Sequence, residues 1–247
     1  MHIRKGTALT DEPITEQVVQ AYRAMAFAGQ TDMVWGHVSA RDPEGRGVWM
    51  KAARWGFEEV TSERLVLISP EGEVLAGEGR RHIEYPIHTN IMEARPDVGA
   101  VIHSHAPAAC VFASLDLPLR AISHDAVPFL DPDIPRYTHT GNLVRDDDTG
   151  ARLAETLGDS AGALMPAHGF VVVGENLAIT VMRALLLERA CRNQLTALAA
   201  GGPVRWSDNV EIAEKRALVW SMNQYQAGYD YLLRRASTTS SNDPATA

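Results

Sequence analysis

Near the N-terminus, Ile14, Val18, Tyr22 and Met25 recur at helical spacing and predict a helix with one buried stripe. Asp11-Glu12-Pro13 supplies a capping acid and a proline suited to the first turn, and Gly29 and Asp32 mark the exit. From Met33 the pattern shortens to two strands, 34–41 and 47–51, joined by the turn-forming Asp42-Pro43-Glu44-Gly45. Leu65–Ile68 and Glu73–Ala76 predict a hairpin around Pro70-Glu71-Gly72. A helix over 84–95 leads into a compact apolar strand over 98–102, and Pro107 opens a helix through Ala113. The stretch 117–148 is rich in Pro, Asp and Thr and reads as short strands separated by long loops. A helix over 149–157 follows, then strands at 163–165 and 170–173 on either side of Pro166-Ala167-His168-Gly169. Asn176 caps a helix through Leu198, Gly201-Gly202-Pro203 breaks the chain, and Asp208 opens a last helix to about Arg235.

At 247 residues with 45% apolar content, the chain has enough material for a sizeable core. The expectation is one α/β domain over residues 1–235 with a C-terminal helical extension, followed by a small, polar, disordered tail at 236–247. A net charge of -8 gives no general attraction for nucleic acid or an anionic membrane surface. No apolar run is long enough to cross a bilayer, and Met1–Thr10 lacks the apolar segment of a secretory signal. Cys110 and Cys191 share no metal-like spacing and read as free thiols in packed helices, so a cytoplasmic location is expected.

His103 and His105, two apart at a strand end, place both rings on one side. Glu84 and His88 share a helix face, and a short connection from that helix to the strand can bring Glu84 to the pair. Imidazoles with a carboxylate and no sulfur suit zinc, manganese, cobalt or iron. Glu84 is then either a fourth ligand or an acid/base beside the metal. On spacing alone, a surface or hydrogen-bonded histidine pair is the commoner reading.

Several segments in order widen the picture: Gly36-His37-Val38-Ser39-Ala40-Arg41, Ser69-Pro70-Glu71-Gly72, His82-Ile83-Glu84-Tyr85-Pro86-Ile87-His88, 94–107 with His103-Ser104-His105, and Ala167-His168-Gly169. Together the chain from Gly36 through Arg205 resembles the class II aldolase/adducin superfamily. The resemblance implies a three-layer αβα fold with a mostly antiparallel central sheet, and a homotetramer with active sites at subunit interfaces. It implies a divalent metal (Zn, Mn, Co or Mg) held by His103, His105 and His168, with Glu84 as ligand or acid/base. The adducin side lacks metal chemistry, but all four metal-site residues stand here.

Sugar-phosphate aldolases of the family carry Gly-Asn-x-Ser and a paired serine for the phosphate. Here Gly36-His37-Val38-Ser39 and His82-Ile83 stand instead, which argues against a phosphorylated sugar. The chain looks like the branch of dihydroxyphthalate and carboxy-hydroxymuconate semialdehyde decarboxylases. That likeness implies decarboxylation of a small hydroxy-aromatic or hydroxymuconate-type acid, with the cation as electron sink and Glu84 or His124 protonating the carbon. His37, Arg41, Lys51 and His82 are candidates for binding substrate carboxylates. The alternatives are aldol cleavage of an unphosphorylated hydroxy-oxo acid, an oxygenase using non-haem iron, and a scaffold protein that kept the fold.

Overall fold

Seven strands make one sheet among the described residues, which in this computed structural model are 12–203 and 205–240. They are β1 (His37–Arg41), β2 (Val48–Lys51), β3 (Leu65–Ile68), β4 (Val74–Ala76), β5 (Ala100–Ser104), β6 (Gly162–Met165) and β7 (Gly169–Gly174). Their order is β4-β3-β2-β1-β5-β7-β6, and every neighbouring pair is antiparallel.

Alternation along the strands sorts the core into two apolar layers. Val38, Ala40, Ile102, Phe170 and Val172 face a layer built with α1 (Ile14–Phe27), α3 (Pro107–Ala113) and α5 (Leu177–Ala199). Met50, Val101, Val171 and Val173 face the other, covered by α2 (Pro86–Ala94) and α4 (Asp147–Leu157). This is the three-layer αβα arrangement with an antiparallel centre that the sequence implies. The same parity puts His37, Ser39 and His103 on the α2 face, with His37 directly opposite His103 in the β1–β5 register.

Local chemistry fixes the strands that carry the site. The Tyr22 hydroxyl on α1 donates to Val38 O and accepts from Val38 N, both at 2.8 Å, pinning β1 to the helix. Asn176 caps α5 as expected, accepting from Ile179 N at 3.0 Å.

Two expectations are corrected. The stretch 117–146 forms no strand among the described residues, only a 3-10 turn over His124–Phe129 and one isolated bridge from Arg136 to Leu164. Pro118, Pro128, Pro132 and Pro135 lack the N–H groups a ladder needs. The helix expected from Asp208 to Arg235 is two helices, α6 (Asn209–Leu218) and α7 (Met222–Ser240). At the break, Trp220 lies over Tyr225 and its indole N–H donates to His124 O at 2.7 Å. α7 continues past the expected boundary at 235 to Ser240, while the remaining tail and Met1–Asp11 lie outside the described residues. No described helix is long and apolar enough to cross a membrane.

Candidate metal centre

Four segments converge on one point. Glu84 sits in the turn before α2, His103 in β5, His105 just beyond it, and His168 in the β6–β7 turn. One donor atom from each lies within 4.8 Å of the others. The β6–β7 turn can approach because residue 169 is glycine: a Cβ there would stand 2.5 Å from Ser104 O and 2.8 Å from His105 Cδ2. Ala167, just before His168, holds a left-handed φ of 58°, a conformation alanine adopts only when its surroundings impose it.

The hydrogen bonds around the cluster fix what its nitrogens can do. His103 Nδ1 lies 2.9 Å from Phe170 O, and a carbonyl has no proton to give, so Nδ1 donates. His105 Nδ1 lies 2.5 Å from the Asp32 carboxylate and donates likewise. With both rings in the neutral form that ligates a metal, both Nε2 atoms are lone pairs, and they stand 3.0 Å apart. Two lone pairs that close repel unless a cation shares them. Both ring nitrogens of His168 are buried without a hydrogen-bond partner, and its Nε2 is 3.4 Å from Glu84 Oε1. Such imidazoles, oriented from behind by a carbonyl and a carboxylate, are compatible with a divalent cation site.

Electrostatics agree. Burial lowers His103 far below the ordinary histidine value, and its His105 and His168 neighbours lower it further. Burial, then His105, lowers His168 to about 4. The two rings are neutral at neutral pH, the form in which imidazole ligates. Burial raises Glu84 despite the hydrogen bond from Val144 N to its Oε1 at 3.0 Å. Glu84 and His103 are 2% and 0% exposed, whereas His105 is 23% exposed, so the open side of the cluster lies toward His105.

The other expected site residues divide. His37 and His82 join the cluster: His37 Nε2 is 3.9 Å from Glu84 Oε2, and the two rings are 4.2 Å apart. Lys51 is buried close enough for its charge to lower both rings, and burial lowers the lysine itself to about 8. Its amine donates to Val34 O at 2.6 Å. Arg41 is not brought to the cluster. It lies four residues along β1 from His37, roughly 13 Å, and its guanidinium donates to the carbonyls of Met92, Arg95 and Val98. Nor is His124 within this chain: it is exposed, in a 3-10 turn packed on the opposite apolar layer.

Two contributors were not anticipated from the sequence. Asp32 read only as a helix exit, and Ser39 only as part of a motif, yet one orients His105 and the other hydrogen-bonds His88. No local pattern marks Asp32, which acts on a residue 73 positions away.

Comparison with known proteins follows the same lines. The chain is 31% identical over 220 residues to Decarboxylase NovR of Streptomyces niveus, covering 87% of this chain and 81% of that one. It is 33% identical over 174 residues to 4-hydroxy-3-prenylphenylpyruvate oxygenase/4-hydroxy-3-prenylbenzoate synthase of Streptomyces roseochromogenus subsp. oscitans, covering 69% of this chain and 62% of that one. Its fold is similar to that of L-fuculose 1-phosphate aldolase from Glaciozyma antarctica PI12, with a TM-score of 0.80, 26% identity and coverage of 93% and 90% of the two chains. Residues 16–195 match the family described as Class II Aldolase and Adducin N-terminal domain. With that match over most of its length and the His/Glu cluster in place, the chain belongs to the class II aldolase and adducin family.

Proposed function

We propose that this chain is a divalent-metal-dependent carbon–carbon lyase acting on a small, unphosphorylated hydroxy- or oxo-carboxylic acid. The observation that carries the reading is the convergence of Glu84, His103, His105 and His168, with two histidines oriented through Nδ1 so that their Nε2 lone pairs meet. A bound divalent cation supplies an electron sink for the charge left when the bond breaks.

The protein residues supply the proton chemistry and the binding. Glu84 Oε1 is held by Val144 N–H, which leaves Oε2, facing His37 and His103 at 3.9 Å, as the atom that carries the proton. Burial raises this carboxyl, which suits a group that protonates carbon and is reloaded near neutral pH. His37 lies 3.9 Å from that oxygen, His82 packs on His37, and the charge of Lys51 reaches both rings, which gathers donors suited to a carboxylate or phenolate. Assembly as a homotetramer is how the exposed His124 of one copy would reach the cluster of another.

Retro-aldol cleavage is the first reading, supported by the likeness to L-fuculose 1-phosphate aldolase over 93% of the chain. In it, the substrate hydroxyl passes its proton to Glu84, the adjacent carbon–carbon bond breaks to release an aldehyde, and Glu84 returns that proton to the other carbon. Decarboxylation is the second, supported by the sequence likeness to NovR. There the carboxylate leaves as carbon dioxide and the same carbon is protonated.

Zinc- or manganese-loaded protein incubated with 4-hydroxy-2-oxo acids and with ortho-hydroxy aromatic diacids separates the two by aldehyde or carbon dioxide release. Neither product from any of these acids, with oxygen uptake on adding ferrous ion, would replace both readings with an oxygenase.

A further inference from the structure

Ser39, His88 and His37 form a hydrogen-bonded chain behind the cluster. Ser39 Oγ lies 2.6 Å from His88 Nδ1, and His88 Nε2 lies 2.6 Å from His37 Nδ1. All three residues are fully buried. Burial lowers His88 to about 3, so its ring is neutral and carries one N–H.

Two polarities are open to such a chain. In one, the Ser39 hydroxyl donates to His88 Nδ1, His88 Nε2–H donates to His37 Nδ1, and the His37 proton sits on Nε2. In the other, His37 Nδ1–H donates to His88, His88 Nδ1–H donates to Ser39, and His37 Nε2 is a lone pair. The second arrangement strands the serine proton, because Ser39 Oγ has no other hydrogen-bond partner among the described residues. The first leaves its one unpartnered donor on His37 Nε2, facing the site where a bound oxygen can accept it, whereas the second leaves its unpartnered donor on Ser39, behind the cluster.

We infer that Ser39 and His88 are positioning residues that lock His37 as an Nε2–H donor, so that His37 hydrogen-bonds an oxygen of the bound acid and is not a metal ligand. The distinction matters because His37, His82 and Glu84 also present donor atoms within 4.8 Å of one another, close enough to suggest a second cation. A protonated Nε2 removes His37 from that set. The tautomer stands on the hydrogen bonds alone, whereas the acid as its acceptor rests on the lyase reading above.

The test uses the full-length, zinc-loaded protein with 15N-labelled histidine, and salicylate as the probe acid. Long-range proton–nitrogen correlation, with His37 signals identified by their loss in His37→Gln, is expected to show Nε2 protonated and Nδ1 bare. The reverse pattern overturns the inference. Ser39→Ala, which removes only the hydroxyl, is expected to let the Nδ1–H form appear. By calorimetry, Ser39→Ala and His88→Phe are expected to weaken salicylate binding about tenfold, the scale of one hydrogen bond to a charged group. His88→Gln, whose amide N–H can replace Nε2–H, is expected to stay within about threefold.

Unchanged salicylate affinity in folded Ser39→Ala and His88→Phe overturns the positioning role. Zinc is expected at one ion per chain in all variants, and a second ion that disappears in His37→Gln overturns the donor assignment. Wild-type protein that shows the Nε2–H tautomer but binds no salicylate upholds the chain of hydrogen bonds and rejects the acid-binding reading.

Discussion

The two ends of β1 send basic side chains into the same layer of the molecule and use them in opposite ways. At one end, the Arg41 guanidinium donates through Nε and Nη2 to the carbonyls of Met92, Arg95 and Val98. Those of Met92 and Arg95 belong to the C-terminal end of α2, which lacks intrahelical donors and carries partial negative charge. At the other end, His37 is held through Nδ1 while its Nε2 is left buried and unpartnered beside Glu84. A partly buried cation whose donors are spent on backbone carbonyls serves the fold. An unsatisfied buried nitrogen next to a converging donor set is reserved for something that arrives.

The comparison breaks if the cluster end tolerates substitution. His103→Ala removes the central member of the proposed ligand set, and the metal content of purified protein, by plasma emission spectrometry, is expected to fall from one ion per chain to roughly a tenth or less. His168→Ala should follow it. Full metal content in both variants ends the site assignment.

Acid is the next largest lever on the same end. Burial lowers His82 and His168 to about 4 and His88 to about 3. An unfolded chain protonates its histidines near 6.5, so below that pH the unfolded state binds more protons and stability falls as pH falls. Each histidine contributes about 1.4 kcal/mol per pH unit until its folded-state value is reached, and the three together roughly 4 kcal/mol per unit between 6.5 and 4. Glu84, raised by burial, works in the opposite direction but is a single group. Metal-free protein is thus expected to unfold by circular dichroism between about pH 6 and 4.5, and zinc to shift that transition to lower pH. A metal-free protein as stable at pH 4.5 as at 7 contradicts neutral, buried rings.

The contrast between the ends of β1 was only half legible in the sequence. Periodicity marked α1, the β1–β2 turn, the β3–β4 hairpin and α3 because each depends on neighbours a few residues apart. The convergence of His103, His105 and His168 on Glu84 was legible because motif order tied the four together. Arg41 was misleading for a physical reason: a basic residue closing a strand beside a site motif reads the same whether it meets substrate or backbone carbonyls 51 to 57 positions away. His124 shared a segment whose prolines prevent strands, and neither its exposure nor its layer could be read from composition. Asp32 carried no signal, since its partner is set by how α1's exit meets the end of β5.

Arg41→Met sharpens the comparison from the structural end. It keeps much of the aliphatic length but removes the charged donors, leaving the carbonyls at the end of α2 unserved. Urea denaturation is expected to show a loss of about 2–3 kcal/mol, the range for hydrogen bonds to a charged group. Metal content is expected to stay at the wild-type level. A variant that keeps its stability but loses affinity for acids would return Arg41 to the site.

The smallest expected effect tests whether the cluster is tuned from behind. Asp32→Asn keeps a side-chain carbonyl that can accept from His105 Nδ1 and from Gly36 N, so the ring orientation and the turn into β1 are retained. What changes is the negative charge that makes His105 a better base and ligand. Carboxylates that hydrogen-bond the far nitrogen of a ligating histidine contribute about 10–100-fold in metal affinity, and because the hydrogen bond survives the lower end applies, roughly tenfold. Competition against a fluorescent zinc chelator measures this directly. The loss should appear in zinc affinity and not in urea stability of the metal-free protein, the reverse of the Arg41→Met pattern. Equal losses in both measurements would mean that Asp32 serves the fold as Arg41 does.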